Sequence, residues 1–401
     1  MRSGKRIRLI TFLVFLATSA TYTAFAQVPA NLPPPPAPKK VDFKGKVSFV
    51  GSDPAPRDAS TAIFDAYKKY EIVAMGAGHG NQNLDTFILS FVADPRFPGD
   101  IRDVVVECGN SLYQKTLDRY IAGENVAQTD VEKIWRNTTQ PMCAVSSFYQ
   151  QLFPLLRRVN ESLPLSKRVR VLAGDVPVDW ETIRSNDDLQ RSPQDRDANI
   201  ASIVQSQVLS KHRKALLLFG MTHLYHGARS STVDPSAVGI YEGHYPGVTW
   251  VVEDHDGFGF GTPYEELNDR WEARIASWRA PSIVVSLKGT WLADLLDTEN
   301  ASELISLITP RKGGGTNVRT VVQQSTRPFT SMIDGYLYLG PRRLLLKEPP
   351  SASALLDKGF MKEMRRRAKL TGEGSITDQA DPEKFVKEPY HAFIFDSTPP
   401  E

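Results

Sequence analysis

Short, continuous apolar runs recur along this chain with helical stretches between them, and that rhythm limits its fold more than any other feature. The runs are Glu71-Ile72-Val73-Ala74-Met75-Gly76, Asp103-Val104-Val105-Val106-Glu107, Val169-Arg170-Val171-Leu172-Ala173-Gly174, Ala215-Leu216-Leu217-Leu218-Phe219-Gly220, Val248-Thr249-Trp250-Val251-Val252, Ser282-Ile283-Val284-Val285 and Gly335-Tyr336-Leu337-Tyr338-Leu339. They lack the polar-apolar alternation of a half-exposed sheet, so each reads as a strand buried on both faces. Ala59 to Tyr70, Ser111 to Ala122, Val145 to Asn160 and Arg196 to Lys211 carry helical periodicity instead. Strands alternating with helices predict an α/β fold, with a mainly parallel central sheet and helices on both faces. No repeat of solenoid period is present.

The N-terminus has a different character. Arg2, Lys5, Arg6 and Arg8 precede the apolar run Leu9 to Ala20, and Ala24-Phe25-Ala26 offers the small-x-small pattern of a signal peptidase site. Cleavage is expected before Gln27, placing the mature protein in the periplasm or outside the cell. A retained anchor is the alternative, and only such an uncleaved segment would hold the protein at a membrane. Pro29 to Lys40, rich in proline, reads as a stiff polyproline II spacer. The chain thus divides into a signal peptide (1–26), a proline-rich linker (27–45), an α/β catalytic-like domain (46–345) and a C-terminal helical appendage (346–401).

With 41% hydrophobic residues and a formal net charge of +2, the chain can build a core but lacks the charge of a nucleic-acid binder. Its one basic run, Lys362 to Lys369, reads as the solvated face of a helix. Cys108 and Cys143 are the only cysteines, and their spacing leaves open a disulfide or two buried thiols.

In an open parallel sheet, ligands bind beyond the carboxyl ends of the strands. Four strand exits each carry an ionisable side chain there: Gly76-Ala77-Gly78-His79, Glu107 in Glu107-Cys108-Gly109-Asn110, Asp175 after Gly174, and Gly220-Met221-Thr222-His223. Two imidazoles and two carboxylates suit general acid-base work, with a carboxylate fixing the imidazole tautomer, or metal-assisted hydrolysis. For each residue a structural role competes; Asp175, with Pro177 and Asp179, can simply shape a turn. His226 is an accessory candidate, and His255 in Glu253-Asp254-His255-Asp256-Gly257 either lines the crevice mouth or sits in a solvated turn. His212 suits a helix C-terminus. Asn137-Thr138-Thr139 and Asn160-Glu161-Ser162 match the glycosylation pattern, while Lys312-Gly313-Gly314-Gly315-Thr316 lacks Walker spacing and reads as a flexible surface loop.

The paired Gly-x-x-His motifs ending at His79 and His223, with Glu107 between them, resemble the superfamily joining erythromycin esterases, Tiki/TraB-type proteases and ChaN-type haem-binding lipoproteins. Asp94-Pro95-Arg96-Phe97-Pro98 through Asn110 is similar to an exported bacterial branch of that group, and Asp334 to Pro341 gives a weaker echo. The resemblance spans roughly Glu71 to His226 and implies an α/β core with His79, Glu107 and His223 in one pocket. The esterase branch uses a histidine to activate water, the Tiki branch is a metal-dependent protease, and the ChaN branch binds haem without catalysis. Esterase-branch members carry a glycine-glutamate pair before the first histidine; this chain has Gly76-Ala77-Gly78 there, with no acid.

Two functions follow as expectations. The first is an exported hydrolase of ester or peptide bonds, acting on a small-molecule or peptide substrate through His79, Glu107, Asp175 and His223. In its metal-dependent form, His79, Glu107 and His223 would hold a divalent ion. The second is an envelope protein binding haem or a metal, with Tyr225 and His226 as iron ligands. A degenerate pocket in an interaction module is a third, blander reading.

Overall fold

The computed structural model describes residues 49–77, 80–227, 235–255, 272–299 and 327–371, together with the backbone of three further strands, Leu13–Val14, Ser302–Pro310 and Thr316–Gln324. The remaining signal-peptide residues, the proline-rich linker, His79 and the glycines of Gly313 to Gly315 lie outside the described residues.

In chain order the strands are β1 (Leu13–Val14), β2 (Pro56–Asp58), β3 (Ile72–Gly76), β4 (Asp103–Asn110), β5 (Arg170–Asp175), β6 (Ala215–Phe219), β7 (Thr249–Asp254), β8 (Ser282–Val284), β9 (Ser302–Pro310), β10 (Thr316–Gln324) and β11 (Gly335–Tyr338). Eight of them form one sheet in the order β2-β8-β11-β7-β3-β6-β4-β5. From β11 to β5 every neighbouring pair is parallel, and β8 runs antiparallel to both β2 and β11 at the other edge. All seven apolar runs of the sequence are strands of this sheet. The antiparallel β9-β10 pair, with β1 beside β9, forms a separate sheet that the apolar runs did not foretell.

Alternate residues of the central strands enter different apolar layers. Val73 and Met75 of β3, Val104 and Val106 of β4, and Leu216 and Leu218 of β6 join one; Ile72, Ala74, Val105, Leu217 and Phe219 join the other. This is why the strands read as unbroken apolar runs: side chains alternate sides, and both sides are dry. Helices 59–66, 82–93, 114–121, 128–136 and 147–161 cover the first face, and helices 196–203, 237–242 and 291–299 the second. The fold is α/β with helices on both faces of a mostly parallel sheet.

Cys108 and Cys143 form a disulfide with a Cα separation of 5.3 Å, which resolves the alternative left by their spacing. At the C-terminus, helix 358–371 turns part of its basic run inward. Arg366 donates to the carbonyls of Trp180 and Ile183, and Arg367 to the carbonyl of Arg136 and Oδ1 of Asn137. A fully solvated basic face is therefore not what this run forms. Asn137 and Asn160 are both buried, so neither glycosylation pattern is presented to solvent. Among the described residues no helix is long and apolar enough to cross a membrane.

Candidate functional site

The strand order brings the sequence candidates side by side. The exits of β3, β6, β4 and β5 are consecutive in the sheet, so the segments after Gly76 and Phe219 and the residues Glu107 and Asp175 share one edge. Gly76 pairs in register with Phe219, so the two Gly-x-x-His motifs leave adjacent parallel strands at the same level. The register between β4 and β5 shifts between Val106 and Asn110, a bulge that re-aims the chain at Glu107. Gly109 and Gly174 permit this approach. A Cβ at Gly109 would come within 2.8 Å of the Ala173 backbone, and one at Gly174 within 2.6 Å of the Phe219 ring.

The centre of the site is a residue that periodicity alone did not single out. Arg196, in the first turn of helix 196–203, donates from Nε to Oδ1 of Asp175 at 2.8 Å and from Nη2 to Oε1 of Glu107 at 2.7 Å. Its Nη1 lies 3.3 Å from Nε2 of His223. Burial disfavours the cation, but the carboxylates of Asp175 and Glu107 outweigh that and hold Arg196 firmly charged. Glu107 also accepts the Gly220 N–H through Oε2, which ties β4 to the start of the second motif.

His223 is gripped from the other side. Its Nδ1 is 2.9 Å from Oδ1 of Asp197, whose same oxygen accepts the Ala237 N–H at 2.7 Å. An ionised carboxylate only accepts and a guanidinium only donates, so Nδ1 carries the proton and Nε2 presents its lone pair. The pair resembles the base-and-orienter arrangement of acyl-transfer enzymes in roles, not in fold. Asp175 is fully buried and also accepts from the N–H (2.9 Å) and hydroxyl (3.2 Å) of Thr139. It positions Arg196 and has no surface for substrate, which corrects its reading as a catalytic group.

The metal reading does not fit the described residues. Arg196 stands against both Glu107 Oε1 and His223 Nε2, the atoms that would ligate the ion, and its fixed positive charge repels a divalent cation there. No group of three or more metal-ligating side chains occurs among the described residues. The haem-ligand reading of His226 is also corrected. His226 is bound by Glu242 at Nδ1 and Asp334 at Nε2, both at 2.8 Å, leaving no lone pair for iron. Burial alone would lower its pKa, but the hydrogen bonds and charges of Asp334 and Glu242 push it up to about 9. Tyr225 packs edge-on against Phe329, their ring centroids 5.6 Å apart.

His255 is neither at the crevice mouth nor in a solvated turn. It is buried, with Nδ1 2.6 Å from the Tyr336 hydroxyl and Nε2 3.2 Å from Glu272. Burial lowers its pKa against the pull of Glu272.

Arg196 and Asp197 were missed because they sit in a helix read only for its apolar period. A signal existed: Asp195-Arg196-Asp197 opens a helix, and Asp195 caps it by accepting the Ala198 N–H at 2.9 Å. Helix N-termini in such folds converge on the carboxyl edge of the sheet, so charged first-turn residues there are site candidates.

No family model and no curated protein matches this chain. Two solved structures are similar to it. One, a Bacillus cereus protein, is 11% identical with a TM-score of 0.45, covering 72% of this chain and 94% of its own. The other, called a succinoglycan biosynthesis protein, is 9% identical with a TM-score of 0.45, covering 73% of this chain and 93% of its own.

Proposed function

We propose that the protein is an exported hydrolase of ester or peptide bonds, acting on a small-molecule or peptide substrate at the carboxyl edge of its parallel sheet. The observation that carries this reading is the His223 tautomer, fixed by Asp197 at Nδ1, which leaves Nε2 an acceptor beside Arg196 at the carboxyl edge of the sheet. In the proposed step Nε2 exchanges its long contact with Arg196 Nη1 for a water molecule and takes that water's proton, while the water oxygen attacks the carbonyl carbon. Arg196, held by Glu107 and Asp175, turns its remaining N–H donors to the oxygen that becomes negative. The resemblance of the paired Gly-x-x-His motifs to the esterase and protease branches supports the same reaction class. The Cys108–Cys143 disulfide agrees with an oxidising compartment, and so with export.

Asp197→Asn tests the reading on a panel of ester and peptide substrates. The amide can no longer enforce the Nδ1–H tautomer, so kcat is expected to fall by roughly 10²- to 10⁴-fold with the circular dichroism spectrum unchanged. Turnover within a factor of about three of wild type, which is under about 1 kcal/mol, would sink it.

A further inference from the structure

We propose that His226 is a positioning residue, the cationic rivet of a clasp that closes the loop carrying His223 and seats the helix that steadies Asp197. Its effect on turnover rests on the hydrolase reading; its effect on the His223–Asp197 pair does not.

The loop from Gly220 to Gly227 is tied at its start by Glu107, whose Oε2 accepts the Gly220 N–H. Its far end closes on His226. The backbone N–H of His226 donates to the Met332 carbonyl at 3.0 Å. The ring lies between two carboxylates, with Nδ1 2.8 Å from Oε2 of Glu242 and Nε2 2.8 Å from Oδ2 of Asp334. Both carboxylates also hold β7: Oδ2 of Asp334 accepts the Val251 N–H at 2.8 Å, and Oε1 of Glu242 accepts the Thr249 N–H at 3.3 Å. An ionised carboxylate accepts and cannot donate, so each ring nitrogen carries a proton and the ring is an imidazolium.

Glu242 ends helix 237–242, and the other end of that helix meets the catalytic pair. The Ala237 N–H donates to Oδ1 of Asp197, the same oxygen that fixes Nδ1 of His223. Between its two ends the helix is pressed onto the loop. Ser236 caps it by accepting the Gly239 N–H through Oγ, and donates its own N–H to the Gly227 carbonyl. A Cβ at Gly239 would fall 1.8 Å from that carbonyl oxygen. His226 therefore fastens together the loop that carries the base and the helix that holds its orienter.

A neutral imidazole donates from one nitrogen only, so loss of the proton leaves one carboxylate facing a lone pair and the clasp half undone. Besides Glu242 and Asp334, the charged groups around it are Arg327, whose Nη1 would lie 2.8 Å from a Cβ at Gly227, and Lys69, which feels the charge of Asp334. Burial opposes the imidazolium, but Asp334 and Glu242 overcome it and the proton is kept up to about pH 9. The clasp is closed below that pH and loosens above it.

Kinetics and the His223 ring proton test the clasp separately. Wild-type kcat on the ester and peptide panel is expected to fall about tenfold between about pH 8 and about pH 10, as His226 goes from mostly charged to mostly neutral, with the circular dichroism spectrum unchanged. His226→Gln, which never carries the charge, should lose about 10- to 100-fold in kcat near neutral pH and show no such alkaline limb. His226→Arg stays cationic throughout and should restore most of that kcat and carry it past the wild-type limb. By NMR, the Nδ1–H signal of His223, assigned by its absence in His223→Gln, should be sharp near neutral pH in wild type and His226→Arg, and broadened by exchange in His226→Gln. The proposal is overturned by an alkaline limb that His226→Arg does not move, by a circular dichroism change that tracks the limb, or by a His226→Gln protein with wild-type kcat and a sharp Nδ1–H. If the wild-type protein hydrolyses no member of the panel, the hydrolase reading fails, and the Nδ1–H signal still decides the clasp: equally sharp in His226→Gln and wild type, it overturns the proposal as well.

Discussion

His226 shows how far a residue's partners can reverse its sequence reading. Three residues beyond His223, its spacing suggests a spare ligand; flanked by Glu242 and Asp334, it is a half-buried cation. The folded-state pKa of about 9 lies above the ordinary 6.5, so its stabilisation is fully present below about pH 6.5 and disappears as pH rises through about 9. Urea unfolding should therefore show a loss on the order of 3 kcal/mol between pH 6.5 and pH 10. The His226→Asn variant should flatten that dependence while lowering stability at neutral pH. Asp175 teaches the same lesson with the opposite sign, since saturation by Thr139 and Arg196 makes it a support.

At the scale of elements, the first turn of helix 196–203 contributes most to the site. The Asp195 carboxylate accepts the Ala198 N–H, and the two residues between them carry the guanidinium and the carboxylate that hold Glu107, Asp175 and His223. Asp195→Ala should cost about 1 kcal/mol by thermal unfolding. Fraying would also misplace Arg196 and Asp197, so turnover should fall by roughly 10- to 100-fold. Unchanged turnover with the expected stability loss would mean that packing on the sheet, and not the cap, fixes this turn. The strands were legible because each is short, apolar and buried on both faces. The β9-β10 pair was not, because Ser302–Pro310 and Thr316–Gln324 mix polar and apolar residues and carry no comparable run.

For the whole molecule, the disulfide joins the site strand β4 to the segment at 141–144 across a sequence separation of 35 residues. The closed loop restricts the unfolded chain, so a Cys108→Ala/Cys143→Ala double variant should lose about 4 kcal/mol, measured by urea unfolding against the oxidised protein. A loss below about 1 kcal/mol would indicate that the buried packing around both residues carries the stability instead.

The sequence by itself determined the layered α/β architecture and the positions of the strand exits, because apolar periodicity is a local property that burial enforces residue by residue. It also supplied Glu107 and His223 as candidates that the sheet edge does bring together. Only the tertiary structure decided the wiring: which nitrogens of His223, His226 and His255 meet a partner, that Arg196 stands against both Glu107 and His223, and that Asp85 is buried with neither oxygen hydrogen-bonded among the described residues. Those facts depend on contacts between residues far apart in the chain, where a side chain's charge and hydrogen-bond state are set by neighbours that no local pattern encodes.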